Sequence, residues 1–356
     1  MRSLNLRGFV LAIAFTSAAL LPVSDKGAEP IRPKVLILTT FEIGADTGDS
    51  PGELQYWVER EHLTGTLEVP GLIHPVRYND SGVYAMVTGT CNRSGLAVML
   101  LGMDPDFDLR KTYFMMAGIA GVDADRASVG SAAWAQWVVD GDNANEIDGH
   151  DVPADWPYGI IPFGASSPGE VPGKGDWSQK PMAFQLNPGL VAWAYRLSRD
   201  VALGSTAELD RYRAMYVGFP NAQRPPFVLL GDTLGTARYW HGPVLTKWAE
   251  NWCEIYTGGK ARFVMTECED QSIAYALMLL GRAQRVDPSR YLVLRTASNY
   301  SQPPPGVDLV HNLHSGEASG TTLAAEAAYR AGSPVVHALI QHWGLYESSL
   351  PTADSP

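Results

Sequence analysis

Glu267, Glu269 and Asp270, three acids within four residues, mark one short stretch of this chain as a place for chemistry. In Arg262-Phe-Val-Met-Thr-Glu-Cys-Glu-Asp-Gln-Ser-Ile273 an apolar run, Phe263 to Met265, reads as a buried strand. The acids follow at once, and Ser272 to Leu280 then has the period and propensity of a helix. Open α/β sheets form their ligand crevice beyond the carboxyl ends of strands, where these acids fall. An ionised carboxylate only accepts hydrogen bonds, through two oxygens, which suits a vicinal diol such as that of a ribose. The same residues make sense without a ligand. Thr266 and Glu269 have the spacing of a capping box, and acids in a first helical turn complement the helix dipole. The stretch alone does not choose between site and cap.

The elements that would position those acids alternate along the chain. Strand-like apolar runs cover residues 34–40, 83–88, 111–117, 127–139, 227–230 and 291–297. Helical patterns cover 52–63, 96–101, 187–200, 243–256 and 321–343, the last interrupted at Gly332-Ser-Pro334. Polar, Gly-rich segments sit where strands end, at 41–50, 89–95, 118–121 and 231–242, and residues 149–181 read as a long surface excursion. This pattern predicts one three-layer α/β domain with a twisted central mixed sheet over residues 33–345, and a tail at 346–356.

Composition narrows the partners. With 356 residues, 46% of them hydrophobic, the chain can bury one large core. A formal net charge of −11 argues against a nucleic-acid backbone or an anionic membrane surface, and leaves a neutral nucleoside open. Arg2 and Arg7 before the apolar run 9–21 match a secretory signal peptide, assigned with a short linker to residues 1–28. The mature chain is therefore expected to be secreted or periplasmic, and soluble, without stable membrane insertion. Cys91, Cys253 and Cys268 lack metal-ligand spacing and read as small buried residues; His311 and His314 are too weak a signal to assign a metal.

Five blocks in one order match a known pattern. They are Phe41-Glu42 after the first strand; Thr88-Gly-Thr-Cys-Asn-Arg-Ser-Gly95; Met116-Ala-Gly-Ile-Ala-Gly-Val122 through Val129-Gly130 to Asp140; Thr266-Glu-Cys-Glu269; and Arg295-Thr-Ala-Ser-Asn299. In these the chain resembles the nucleoside phosphorylase/nucleosidase superfamily. Val35 to Phe41, Gly118 to Val122, Gly231-Asp-Thr-Leu-Gly-Thr-Ala-Arg-Tyr-Trp240 and Glu267 to Asp270 make it more similar still to the purine nucleoside permease family.

The resemblance implies roles. Glu269 matches the glutamate that holds the ribose diol, and Glu267 the acid two positions before it. Cys268 stands where a methionine packs under the sugar. Asn299 stands at the Asp or Asn that bonds the purine near N7; an amide can hydrogen-bond there but cannot give a proton. Tyr239 or Trp240 falls where a ring lies against the base, and Glu42 near the carboxylate that activates water in hydrolytic members. Phosphorolytic members of one branch bind phosphate through an Arg and a Ser whose places here are Met116 and Ile119. Arg93, in a Gly-flanked loop, is the remaining candidate for an oxyanion. Each residue also has a plain reading: Arg93 at the surface, Tyr239 and Trp240 in the core, Asn299 in a strand-end turn.

Three functions compete on this footing. The first is cleavage of the N-glycosidic bond of purine nucleosides, by water rather than phosphate, with Glu42 and Asn299 as catalytic residues. The second is non-catalytic capture of purine nucleosides for permease-type uptake, which needs a partner because the chain offers no membrane span. The third is an inactive relic of the fold. Inorganic phosphate is the one co-substrate left open, no other cofactor is assigned, and a homo-oligomer or a transport partner is expected.

Overall fold

A computed structural model describes residues 29–173, 181–315 and 320–356. Residues 1–28, expected to be a signal peptide and linker, and part of the 149–181 excursion lie outside them. Among the described residues, twelve strands form one mixed sheet, and Ala144–Glu146 pairs with Ile160–Pro162 in a separate ribbon. Across its centre the order is Asp232–Gly235, Phe263–Glu267, Tyr113–Val122, Val35–Thr39, Val83–Val87. Tyr291–Tyr300 runs parallel to Tyr113–Val122 along its whole length. These runs are strands because they are rich in β-branched and aromatic side chains, and both of their faces are covered. Every residue of Val35–Thr39 and of Tyr291–Tyr300 is buried.

Successive side chains of a strand point to opposite faces. Leu294 meets Gly332 of the Thr321–Gln341 helix, whereas Arg295 meets Asp270, the first residue of the Asp270–Arg282 helix. The two helices therefore cover opposite faces, which gives the three layers read from the sequence. Residues 346–356 fold back on this body, where Trp193 Nε1 donates to the Pro356 carbonyl and Tyr113 Oη to that of Tyr346. No helix among the described residues is long and apolar enough to cross a membrane.

The structure corrects several boundaries. The expected break at Gly332-Ser-Pro334 is absent, and Thr321–Gln341 is continuous with Pro334 inside it. Burial of Ala324, Ala328, Ala331 and Val335 in one face outweighs the hydrogen bond that Pro334 cannot donate. The 231–242 segment is not all loop, since Asp232–Gly235 pairs with Phe263–Glu267. The strand expected to stop at Ala117 runs on to Val122, so the Gly118-Ile-Ala-Gly121 motif is strand rather than turn.

That longer strand changes partners along one edge. Val35–Thr39 pairs with it as far as Met116, and Phe263–Glu267 pairs with it from Gly121 onward. Tyr291–Tyr300 fills the other edge throughout. No described strand faces Ala117–Ala120 on the open edge, and buried backbone there must find partners elsewhere. Side chains supply them: Ile119 N–H donates to Glu53 Oε1 (2.7 Å), and Arg295 Nη1 donates to the Ile119 carbonyl (3.0 Å). Opposite this break, Tyr291–Tyr300 carries a bulge between Ala297 and Asn299. The crevice of the molecule opens at the break.

Candidate functional site

A cleft of about 390 Å³ lies there, with Glu53, Glu267, Cys268, Glu269, Tyr239 and Asn299 among its walls. Four of the residues proposed from sequence thus come together, and three do not.

Glu42 is not in the cleft. Its Oε1 accepts the N–H groups of Ile43 (2.8 Å) and Gly52 (2.5 Å), and its Oε2 those of Leu54 (2.8 Å) and Gln55 (2.6 Å). A carboxylate has about four lone-pair sites. All are spent on closing the 43–52 loop and starting the Gln55–Arg60 helix, so none remains for water. Trp240 is also misplaced by the sequence reading. It is buried against Trp248, with ring centroids 5.8 Å apart, and Phe263, and belongs to the core. Arg93 begins the Arg93–Met103 helix, is exposed, and is not among the residues that line the cleft. Tyr239 reaches the cleft, while Trp240 turns into the core.

Glu53 is a site residue that nothing in the sequence singled out. It lines the cleft and is 2% exposed. Its Oε2 accepts Thr40 N–H (2.6 Å) and Thr40 Oγ1–H (2.8 Å), and its Oε1 accepts Ile119 N–H, which leaves one lone-pair site unused. Burial pushes its carboxyl up to about 7, against the pull of Arg295. A carboxyl that titrates near neutral pH can serve as either base or acid.

Glu267 takes the capping role in the acidic stretch. Its Oε2 accepts the N–H groups of Glu269 (2.5 Å) and Asp270 (2.7 Å), so the Thr266–Glu269 box expected from spacing does not form. Glu269 is the N-cap residue by position, yet its side chain makes no cap and turns to the cleft. The Oε1 of Glu267 and the Oε1 of Gln271 are both buried without a partner. A Cβ on Gly235 would come within 2.5 and 1.8 Å of them, so only glycine fits at that point. Burial, then the charge of Asp270, hold Glu267 well above the usual carboxylate range.

Arg295 ties the acids together from beneath. Its guanidinium donates to both oxygens of Asp270 (2.7–3.2 Å), to Glu269 Oε2 (2.8 Å) and to Glu267 Oε2 (3.4 Å). The other oxygen of Glu269 accepts Cys91 N–H at 3.0 Å, and the carboxylate keeps acceptor capacity toward the cleft. The sequence held a signal for Arg295, because a charge inside the apolar run 291–297 must be paired if it is buried.

On the far wall Asn299 Nδ2 donates to Tyr239 Oη (2.9 Å) and to the Tyr300 carbonyl (3.1 Å), while its Oδ1 accepts Ser298 Oγ–H (2.9 Å). Tyr239 is half exposed, and Phe41 lines the same cleft, so two rings border it. The cleft wall thus combines acids with acceptor capacity, two aromatic rings and an amide, a set that suits a polyhydroxylated ring joined to a flat heterocycle.

Comparison with known proteins agrees. Residues 32–351 match the model of the family described as purine nucleoside permease. A probable purine nucleoside permease of Schizosaccharomyces pombe is 26% identical over 325 residues, which cover 88% of this chain and 91% of that one. A purine nucleoside permease of Candida albicans is 27% identical over 328 residues, covering 89% and 77%. Among solved structures, the 5′-methylthioadenosine/S-adenosylhomocysteine nucleosidase of Neisseria meningitidis, in complex with methylthio-immucillin-A, has a TM-score of 0.51 at 13% identity, covering 86% of this chain and 99% of that one. Futalosine hydrolase of Helicobacter pylori has a TM-score of 0.52 at 12% identity, covering 86% and 98%. At such identities the likeness is one of fold, and the fold is that of the nucleoside phosphorylase/nucleosidase superfamily. With the family model matched along nearly all of its length, the chain belongs to the purine nucleoside permease family.

Proposed function

We propose that the cleft binds a purine nucleoside and hydrolyses its N-glycosidic bond. The observation that carries this reading is the excess of buried carboxylate. Glu53, Glu267, Glu269 and Asp270 surround one guanidinium, that of Arg295. As the bond to the base breaks, the sugar gains positive charge, and fixed carboxylates in a dry pocket stabilise it. Glu269 holds the ribose diol. Glu53, with its unused acceptor site, takes a proton from the attacking water, whose oxygen bonds to the sugar carbon as the base departs with the bonding electron pair. Phe41 and Tyr239 border the base, and Asn299 is the nearest amide to it. Water is favoured over phosphate because no Lys or Arg is found among the described residues lining the cleft. Met116 is fully buried, and the N–H of Ile119 is already given to Glu53.

Chromatography of inosine, guanosine and adenosine incubated with the purified chain tests this, with and without phosphate. Free base and ribose in both conditions are expected. Ribose 1-phosphate formed only with phosphate would replace hydrolysis by phosphorolysis. The names of the curated relatives favour a second reading, capture of nucleosides for uptake. Unchanged nucleoside that remains bound to the protein through purification would establish it instead.

Glu269→Ala separates ligand binding from architecture. Charge-assisted hydrogen bonds contribute roughly 1.5–3 kcal/mol each, so nucleoside affinity should fall about tenfold to a hundredfold while that of free purine base changes little. Equal losses for nucleoside and base, measured by calorimetry, would assign Glu269 a purely structural role.

A further inference from the structure

Cys91 and Cys268, expected to be small buried residues, are only partly buried, and the fold brings them together. Cys91 Sγ, Cys268 Sγ and a carboxylate oxygen of Glu269 all lie within 4.8 Å of one another. Sequence spacing gave no hint of this. Cys91 comes from the turn after Val83–Val87, and Cys268 and Glu269 from the turn after Phe263–Glu267. Cys91 holds a left-handed backbone, φ 57°, which disfavours a residue with a side chain. In that conformation its N–H donates to Glu269 (3.0 Å), so one short turn fixes both the carboxylate and a thiol. Cys253, the third cysteine, is buried in the cluster of Trp248, Trp252 and Phe263 and takes no part.

We propose that Cys91, Cys268 and Glu269 form a binding site for a thiophilic divalent cation, of which zinc(II) is the type. Two sulfurs and one carboxylate oxygen suit such an ion and leave a fourth tetrahedral position for water or a ligand hydroxyl. Zinc–sulfur bonds of about 2.3 Å place tetrahedral sulfurs about 3.8 Å apart, so the trio need close by only about 1 Å. The neighbouring acids attract a cation, and the two thiol protons pass to solvent as the sulfurs bind. This site does not depend on the nucleoside reading. Because Cys268 and Glu269 also line the cleft, a bound cation and a sugar diol compete for Glu269.

The test uses the full mature chain, held reduced with a phosphine and titrated first with cobalt(II) alone, then with zinc(II). One equivalent of cobalt should give a thiolate-to-metal charge-transfer band that zinc abolishes. Cys91→Ser and Cys268→Ser should each remove the band and weaken zinc by more than about 100-fold, above the loss seen when only an outer partner is removed. Cys253→Ala should leave the band and the zinc affinity as they were. Melting curves without metal accompany each variant, and the band is scored only on variants that melt as the parent does, with Cys→Ala replacing any Cys→Ser that does not. A parent without the band, a band surviving both single substitutions, or one lost with Cys253 would overturn the proposal.

Discussion

Glu53→Gln should slow nucleoside cleavage by about two to four orders of magnitude, the usual contribution of a positioned general base. The parent rate should rise with pH and level off above about 7, where the buried carboxyl has lost its proton. The variant should lose that rise along with the rate. Stability carries the same signature with the opposite slope. The carboxyl moves from 4.5 in the free chain to about 7 in the fold, so between those values the folded chain binds more protons. Its contribution is fully present below pH 4.5 and is lost as pH rises through 7, by about 3 kcal/mol. Thermal melts at pH 5 and pH 8 should show this fall in the parent and a flatter response in Glu53→Gln. A variant that keeps its rate and its pH profile would remove Glu53 from the mechanism.

The largest loss of stability should come from Arg295→Met. The side chains are similar in length, but the substitution leaves Glu267, Glu269 and Asp270 buried with no positive partner. Breaking a buried ion pair from one side costs about 3–5 kcal/mol. It also frees the part-buried Ile119 carbonyl, at about 1 kcal/mol more. Denaturant titration should therefore show a deficit that grows with pH and shrinks in acid, as the carboxyls take up protons. A deficit independent of pH would mean that Arg295 acts through packing alone.

The fold was legible because its strands are apolar runs ending in polar, Gly-rich turns, and that contrast is local. The acidic stretch was legible for the same reason, since Glu267 and Glu269 follow directly on their strand. Glu53 was not. It reaches Thr40 and Ile119 only because the 43–52 loop is folded shut, and nothing near Glu53 in sequence reports that closure. Glu42 stands next to the strand end and looked like the better candidate; the structure spends its oxygens on the loop. Trp240 misled because a pair of adjacent rings suggests one surface, whereas the fold sends one ring to the cleft and the other to the core. The pairing of Cys91 with Cys268 depends on two turns meeting, which no spacing rule encodes.

The bulge between Ala297 and Asn299 gives Tyr291–Tyr300 a further property. Arg295, beneath the acids, and Asn299, beside Tyr239, belong to one strand, so a single stretch of backbone gauges the span from one end of the cleft to the other. Because strand side chains alternate with a period of two, the extra residue at the bulge decides which face Asn299 presents. Gly320 is packed so tightly on Ser298 that a Cβ there would lie 1.7 Å from its carbonyl oxygen, which clamps the bulge from outside. On the proposed function this strand is a fixed backbone gauge for the ligand, and adding or deleting one residue between positions 295 and 299 should change what fits far more than any substitution in the loops around it.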